Sequence, residues 1–181
     1  FLWRQNRHRL DADTYRDYTV SVAGTLDLTM GGPGVQHFSQ GPGPQLTPTL
    51  DYGAYDWGSE GAGRRSIYRY VWRGIADPFM EALDFPDLGL LSPKRGFSVS
   101  SLQALALYNN DFVLHHSEAM AARLLAEAES VDKQIDRATA LVWYREPSEE
   151  ERGLFRAYVE KHGLAAFCRV LLNSNEYLFV E

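Results

Sequence analysis

A single cysteine, Cys168, is the only thiol in the chain, so an internal disulfide is excluded, and no Cys-x-x-Cys-His run is present to attach a c-type haem. Cys168 falls in an apolar helical pattern with Phe167, Val170 and Leu171, where a buried, inert thiol is expected rather than a nucleophile. Positive charge is also short: 18 Lys and Arg stand against 24 Asp and Glu, a formal net charge of −6 with a pI near 5.4. Phosphate backbones are bound by basic surfaces that release counterions, so nucleic acid is not an expected partner. No apolar run is long enough to form a transmembrane segment, and the opening FLWRQNRHRL lacks the apolar core of a signal peptide. With no initial Met and a structured-looking start, the chain is expected to be a piece of a longer protein.

What is present suits one domain. The 181 residues include 45% hydrophobic and 13% aromatic residues, enough to bury a core. Asp11 and Asp13 precede Tyr15, Tyr18, Thr19, Val22 and Leu26 at helical spacing, with Gly24 near the exit, which predicts a helix over 12–23. The basic run Arg4, Arg7, His8 and Arg9 before it reads as a solvated or internally paired face. From Met30 to Gly63 glycine and proline dominate, predicting a long irregular loop with short strands at most near 35–38 and 50–55. Gly31, Gly32 and Gly34 are read as a turn, because Pro33 removes a donor and the spacing is not that of a phosphate loop.

The stretch from Arg64 to Val113 organises the rest. Ser66 to Trp72, SIYRYVW, is β-branched and aromatic and predicts a strand, with Ile67, Arg69 and Val71 on one side and Tyr68, Tyr70 and Trp72 on the other, the aromatic side facing the core. Asp77-Pro78 predicts a helix start. Asp84 and Asp87 flank a proline turn. They are candidate catalytic carboxylates, although pairing with Arg64, Arg65, Lys94 or Arg95 is the expected outcome. Ser100 and Gln103 have capping-box spacing before an apolar helix, and Asn109, Asn110 and Asp111 are read as caps of the next. His115 and Glu118 share a helix face, but no further metal ligand can be assigned, so surface histidines are expected.

The last third predicts three amphipathic helices with short connections: one ending before Pro147, one opened by the Ser148 and Glu151 capping box and stopped at Gly163, and one carrying Leu164, Phe167, Val170 and Leu171. YLFV follows as an extended segment. The fold class expected is mainly α with a small β component (α+β), with an antiparallel helical bundle in the C-terminal half and short strands with a long Gly/Pro-rich loop in the N-terminal half.

The ordered blocks RQNRHRLDADTYRD, MGGPGV, RRSIYRYVWR, FMEALDFPD, SLQALALYNNDFV and LLNSNEYLFVE resemble the C-terminal domain of unknown function of planctomycete-type cytochrome c proteins, the PSD-one family. The resemblance runs over nearly the whole chain and implies the C-terminal major part of a larger family domain. It also implies haem c in an upstream domain, an extracytoplasmic or periplasmic location, and a link to polysaccharide breakdown. It supplies no catalytic residues. Two functions remain in view: a noncatalytic structural or interaction module, whose partners are the upstream domains or a redox protein, and a carbohydrate site. The second would use Trp57, Tyr68, Tyr70 and Trp72 as stacking surfaces, Arg64 and Arg65 as ligand contacts, and Asp84 and Asp87 as acids.

Overall fold

In the computed structural model, which describes residues 7–90 and 95–180, helices carry the molecule and two small antiparallel sheets decorate it. Strand β1 (His8–Arg9) leads into helix α1 (Ala12–Ala23), and strands β2 (Ser39–Gly41) and β3 (Thr49–Asp51) form a hairpin. The short helix α2 (Pro78–Ala82) precedes α3 (Ser101–Asn109), α4 (Asp111–Glu127), α5 (Val131–Trp143), α6 (Glu149–His162) and α7 (Leu164–Leu172). One turn of helix, α8 (Asn175–Leu178), leads into β4 (Phe179–Val180). The fold is α+β.

Capping residues place the helices where local sequence signals them. Gly24 closes α1 at φ 80°, a conformation that suits glycine. Asp77 accepts from Phe79 N and Met80 N at the start of α2, and Asn110 accepts from Phe112 N at the start of α4. Full capping boxes at Ser100/Gln103 and Ser148/Glu151 open α3 and α6. Asn109 instead satisfies the Leu105 carbonyl.

Helix α4 is the axis of the core and packs on α1 and α7, with Val113, Met120 and Leu124 fully buried. Helices α5, α6 and α7 pack on one another, and Ile135, Ala138, Cys168, Leu171 and Leu172 complete the interior. Removing such side chains from water at about 25 cal/mol per Å² is the main stabilising contribution. The chain ends are joined: β1 pairs with β4, and Leu10 N donates to Leu178 O at 2.7 Å. Of the predicted YLFV strand, Tyr177 and Leu178 lie in α8. Tyr177 is buried there, sharing a 2.9 Å hydrogen bond with Thr19 and stacking on Tyr18.

Arginine holds the irregular N-terminal half to this core. Arg16 is 2% exposed and donates to the carbonyls of Ala62 and Arg64, each at 2.8 Å. Arg64 reaches the opposite way, donating to the carbonyls of Pro33 (2.9 Å), Thr29 (3.2 Å) and Gly31. Two interior-facing guanidinium groups thereby satisfy backbone carbonyls that no helix or sheet can reach.

The predicted strand over Ser66 to Trp72 is not formed. Ser66–Tyr68 make one 3₁₀ turn, and only Arg69 makes a bridge, to Val35, framed by Val35 N to Tyr68 O (2.7 Å) and Tyr70 N to Val35 O (2.8 Å). A strand needs a partner along its length, and here the neighbouring chain offers a single residue. The expected core-facing ladder of Tyr68, Tyr70 and Trp72 is also corrected: Tyr70 is 48% exposed, and Tyr68 and Trp72 are only partly buried. Of the two loop strands, the one expected near 50–55 is present in shorter form at Thr49–Asp51, while its partner lies at Ser39–Gly41 rather than at 35–38.

Candidate functional site

A cleft of about 360 Å³ lies between the 69–74 segment and α2 with the following turn. Tyr52, Tyr70 and Trp72 supply aromatic rings, Met80 and Phe85 apolar surface, and Arg73, Glu81 and Asp87 charge. The rings of Tyr70 and Trp72 have centroids 6.1 Å apart, and Tyr70 rests on Phe38 at the same spacing. Arg69 pairs with Asp77, and its guanidinium lies 6.0 Å from the Phe85 ring. Because Asp77 also caps α2, one carboxylate fixes both walls.

The sequence-derived candidates separate in space. Tyr70, Trp72 and Asp87 line the cleft. Tyr68 does not: its hydroxyl accepts from Gly31 N at 2.7 Å, and its ring lies under Arg64, whose guanidinium carbon is 3.9 Å from the centroid. Trp57 is half-buried, edge-on to Phe112 at 5.0 Å. Arg64 is committed to loop carbonyls, and Arg65 faces Asp17 at 3.8 Å.

Asp84 does not line the cleft. Its carboxylate accepts from Arg9 Nη2 (2.8 Å), Ser98 N (2.8 Å), Ser98 Oγ (2.9 Å) and Gln103 Nε2 (2.9 Å). Burial alone would push its carboxyl up, but the Ser98 bonds and the Arg9 guanidinium outweigh this and hold it below the usual range. A carboxylate so occupied cannot act as a proton donor. Asp87 takes Gly89 N at 2.8 Å in a local turn. The expected pairing of these acids with Arg64 or Arg65 is therefore corrected. Arg95 pairs with Asp13 and Asp11, while Lys94, like Arg4 of the N-terminal basic run, lies outside the described residues. Glu81 and Asp87 sit exposed at the rim, without the apolar enclosure that supports a glycosidase acid. Among the described residues, the cleft joins aromatic and apolar surface to charged groups at its rim.

His116, next to His115, departs from the surface expectation, and His37 in the loop region is buried as well. His116 is 1% exposed, its Nδ1 2.8 Å from Phe112 O, and burial lowers its pKa to about 4. His37 is 3% exposed, and burial, reinforced by Arg16 and Arg69, lowers its pKa to about 3. Helical phase could have flagged His116, which falls one turn after Phe112 and before Met120. His37 lies in irregular backbone, where no periodicity marks the inside. Burial pushes the Cys168 thiol up to about 12, in keeping with an inert core residue. Among the described residues no three His, Cys, Asp or Glu side chains gather as a metal site, and no helix is long and apolar enough to cross a membrane.

Comparison with protein families places the chain in the PSD1 family, described as proteins of unknown function (DUF1553), whose family model matches residues 1–159. The chain belongs to that family. A comparison with curated proteins finds no match, and a comparison with solved structures finds none.

Proposed function

We propose that this PSD1-family chain is a noncatalytic interaction module, the C-terminal part of an exported, multidomain cytochrome c-type polypeptide whose haem c sits in an upstream domain. The observation that carries the reading is the exposed apolar side of α3, which faces away from its buried Gln103 and Leu107. Gln103, at 5% exposure, turns inward to bond Asp84 and Ser98, while Leu102 and Leu105 are 63% and 59% exposed beside Tyr108. Val99 and Phe97 extend the apolar strip, at 85% and 62% exposure. A helix that shows two leucines to solvent suits a covered face, and exposed apolar residues gathered in one stretch mark an interaction surface. The upstream domains of the same polypeptide are the proposed cover, and an exported, extracytoplasmic setting would let the assembly meet a redox partner.

Hydrogen exchange on the chain alone and within the longer polypeptide tests this. Amides over 97–108 are expected to gain protection in the longer form, and Leu102→Asp with Leu105→Asp to remove it while leaving the isolated chain folded. Equal exchange in both forms would sink the reading.

The cleft favours a second reading, a glycan-binding surface. Tyr70 and Trp72 present rings to solvent across from charged rim groups, the arrangement on which sugar C–H faces stack while hydroxyls find polar partners. Trp72→Ala is expected to weaken binding to a soluble polysaccharide by about tenfold, a loss of about 1.4 kcal/mol. Unchanged binding removes this reading and leaves the first intact.

A further inference from the structure

A smaller cavity of about 210 Å³ shares Tyr52 and Asp77 with the cleft and is walled by His37, Trp57, Phe79 and Asn110. That volume is several times what one ordered water fills. His37 is the feature without an explanation: both ring nitrogens are buried and have no hydrogen-bond partner among the described residues. Buried polar groups in folded proteins are as a rule satisfied, and an exception points to a missing partner.

We propose that this pocket receives one neutral pyranose ring, as a free sugar or as the end of a glycan lying in the cleft, with its hydroxyls bonded to His37. The chemistry follows from three features. A neutral imidazole offers one N–H and one lone pair, and a hydroxyl answers either. Trp57, whose ring centroid is 5.6 Å from that of His37, and Phe79 give apolar surface for a C–H face. Arg69 and Asp77 offset each other as a pair, Arg16 biases the surroundings against a cation and Asp111 against an anion, so an uncharged ligand meets neither penalty. The nitrogens are covered in this state, so the sugar reaches them once a ring packed against His37, Tyr55 at 4.9 Å or Trp57 at 5.6 Å, turns aside. The free-sugar form stands on the pocket alone; the glycan form rests on the carbohydrate reading of the cleft.

The test is a titration of the full chain, labelled with ¹⁵N-histidine, with D-glucose, D-galactose, D-xylose and cellotetraose. At least one monosaccharide is expected to shift the His37 ring nitrogens, and His37→Phe to weaken its binding by about tenfold or more. Trp72→Ala is expected to spare the monosaccharide and weaken cellotetraose. The ring shifts of the unaltered chain need no variant, so a misfolded His37→Phe leaves the test standing. If none of the four sugars moves the His37 signals, the pocket proposal is overturned, even where cellotetraose binds in a Trp72-dependent way and the cleft reading survives. If a monosaccharide moves them but Trp72→Ala changes nothing for cellotetraose, the pocket stands as a free-sugar site and the cleft reading falls.

Discussion

Arg9 and Asp84 lie 75 positions apart in sequence and form a 2.8 Å ion pair, with Arg9 only 7% exposed. Arg9 also donates to the carbonyls of Leu83 (2.9 Å) and Ser98 (3.0 Å), so one guanidinium joins β1 to the turn after α2 and to the approach to α3. The pair decides how a candidate catalytic acid is read, because its carboxylate is part of the frame.

Replacing Asp84 separates charge from backbone. Its φ of 60° lies in the left-handed region, which Asn tolerates and Ala does not. Asp84→Asn is expected to cost about 2 kcal/mol by weakening the support of a buried guanidinium, and Asp84→Ala about 1 kcal/mol more. Urea unfolding measures both, and equal midpoints for the two variants would contradict the backbone argument.

Stability should fall in mildly acidic solution. His37 and His116 have folded-state pKa values of about 3 and about 4, below the ordinary 6.5. The unfolded chain therefore takes up these protons first. The stabilisation is complete above about pH 6.5 and is lost progressively as pH falls toward those lower values, by at most about 1.4 kcal/mol per pH unit for each histidine. Arg145 holds Glu151 down to about 2, and Asp84 is also lowered, so their contributions are complete above the ordinary carboxylate range and fade as pH falls below it, overlapping the lower part of the histidine window. Urea midpoints that stay level between pH 7 and pH 5 would refute the histidine contribution.

Cys168 is expected to resist alkylation in the folded chain. It is fully buried with its thiol pushed up to about 12, so the thiolate is scarce and unreachable. Iodoacetamide should label it only as fast as the protein unfolds. Labelling at the rate of a free thiol in native buffer would show that α7 is not packed as described.

Two glycines should respond in opposite directions to alanine. A Cβ on Gly63 would stand 2.1 Å from the Thr25 carbonyl oxygen, where Asp27 N bonds Gly63 O, so backbone must move. Gly63→Ala is expected to cost about 2 kcal/mol or more. Gly153 lies within α6 with nothing near its added Cβ, and Gly153→Ala should stabilise by about 0.5–1 kcal/mol. Thermal unfolding shifts of the same sign for both would refute this.

The sequence by itself determined the helical frame. Asp77, Ser100, Asn110 and Ser148 announce helix starts through bonds to amides two or three residues away, and apolar spacing marks the buried faces of α1, α5 and α7. These are local interactions, legible wherever their residues stand in order. What SIYRYVW becomes was decided elsewhere, because a strand depends on the chain beside it, and among the described residues only Val35 bridges to it. The partners of Asp84 and Arg64, the burial of His37 and the opening of the cleft likewise arise from segments brought together over tens of residues. Helix signals act within a turn of backbone, whereas a site is made where distant segments meet, and that meeting is set by the packing of the whole core.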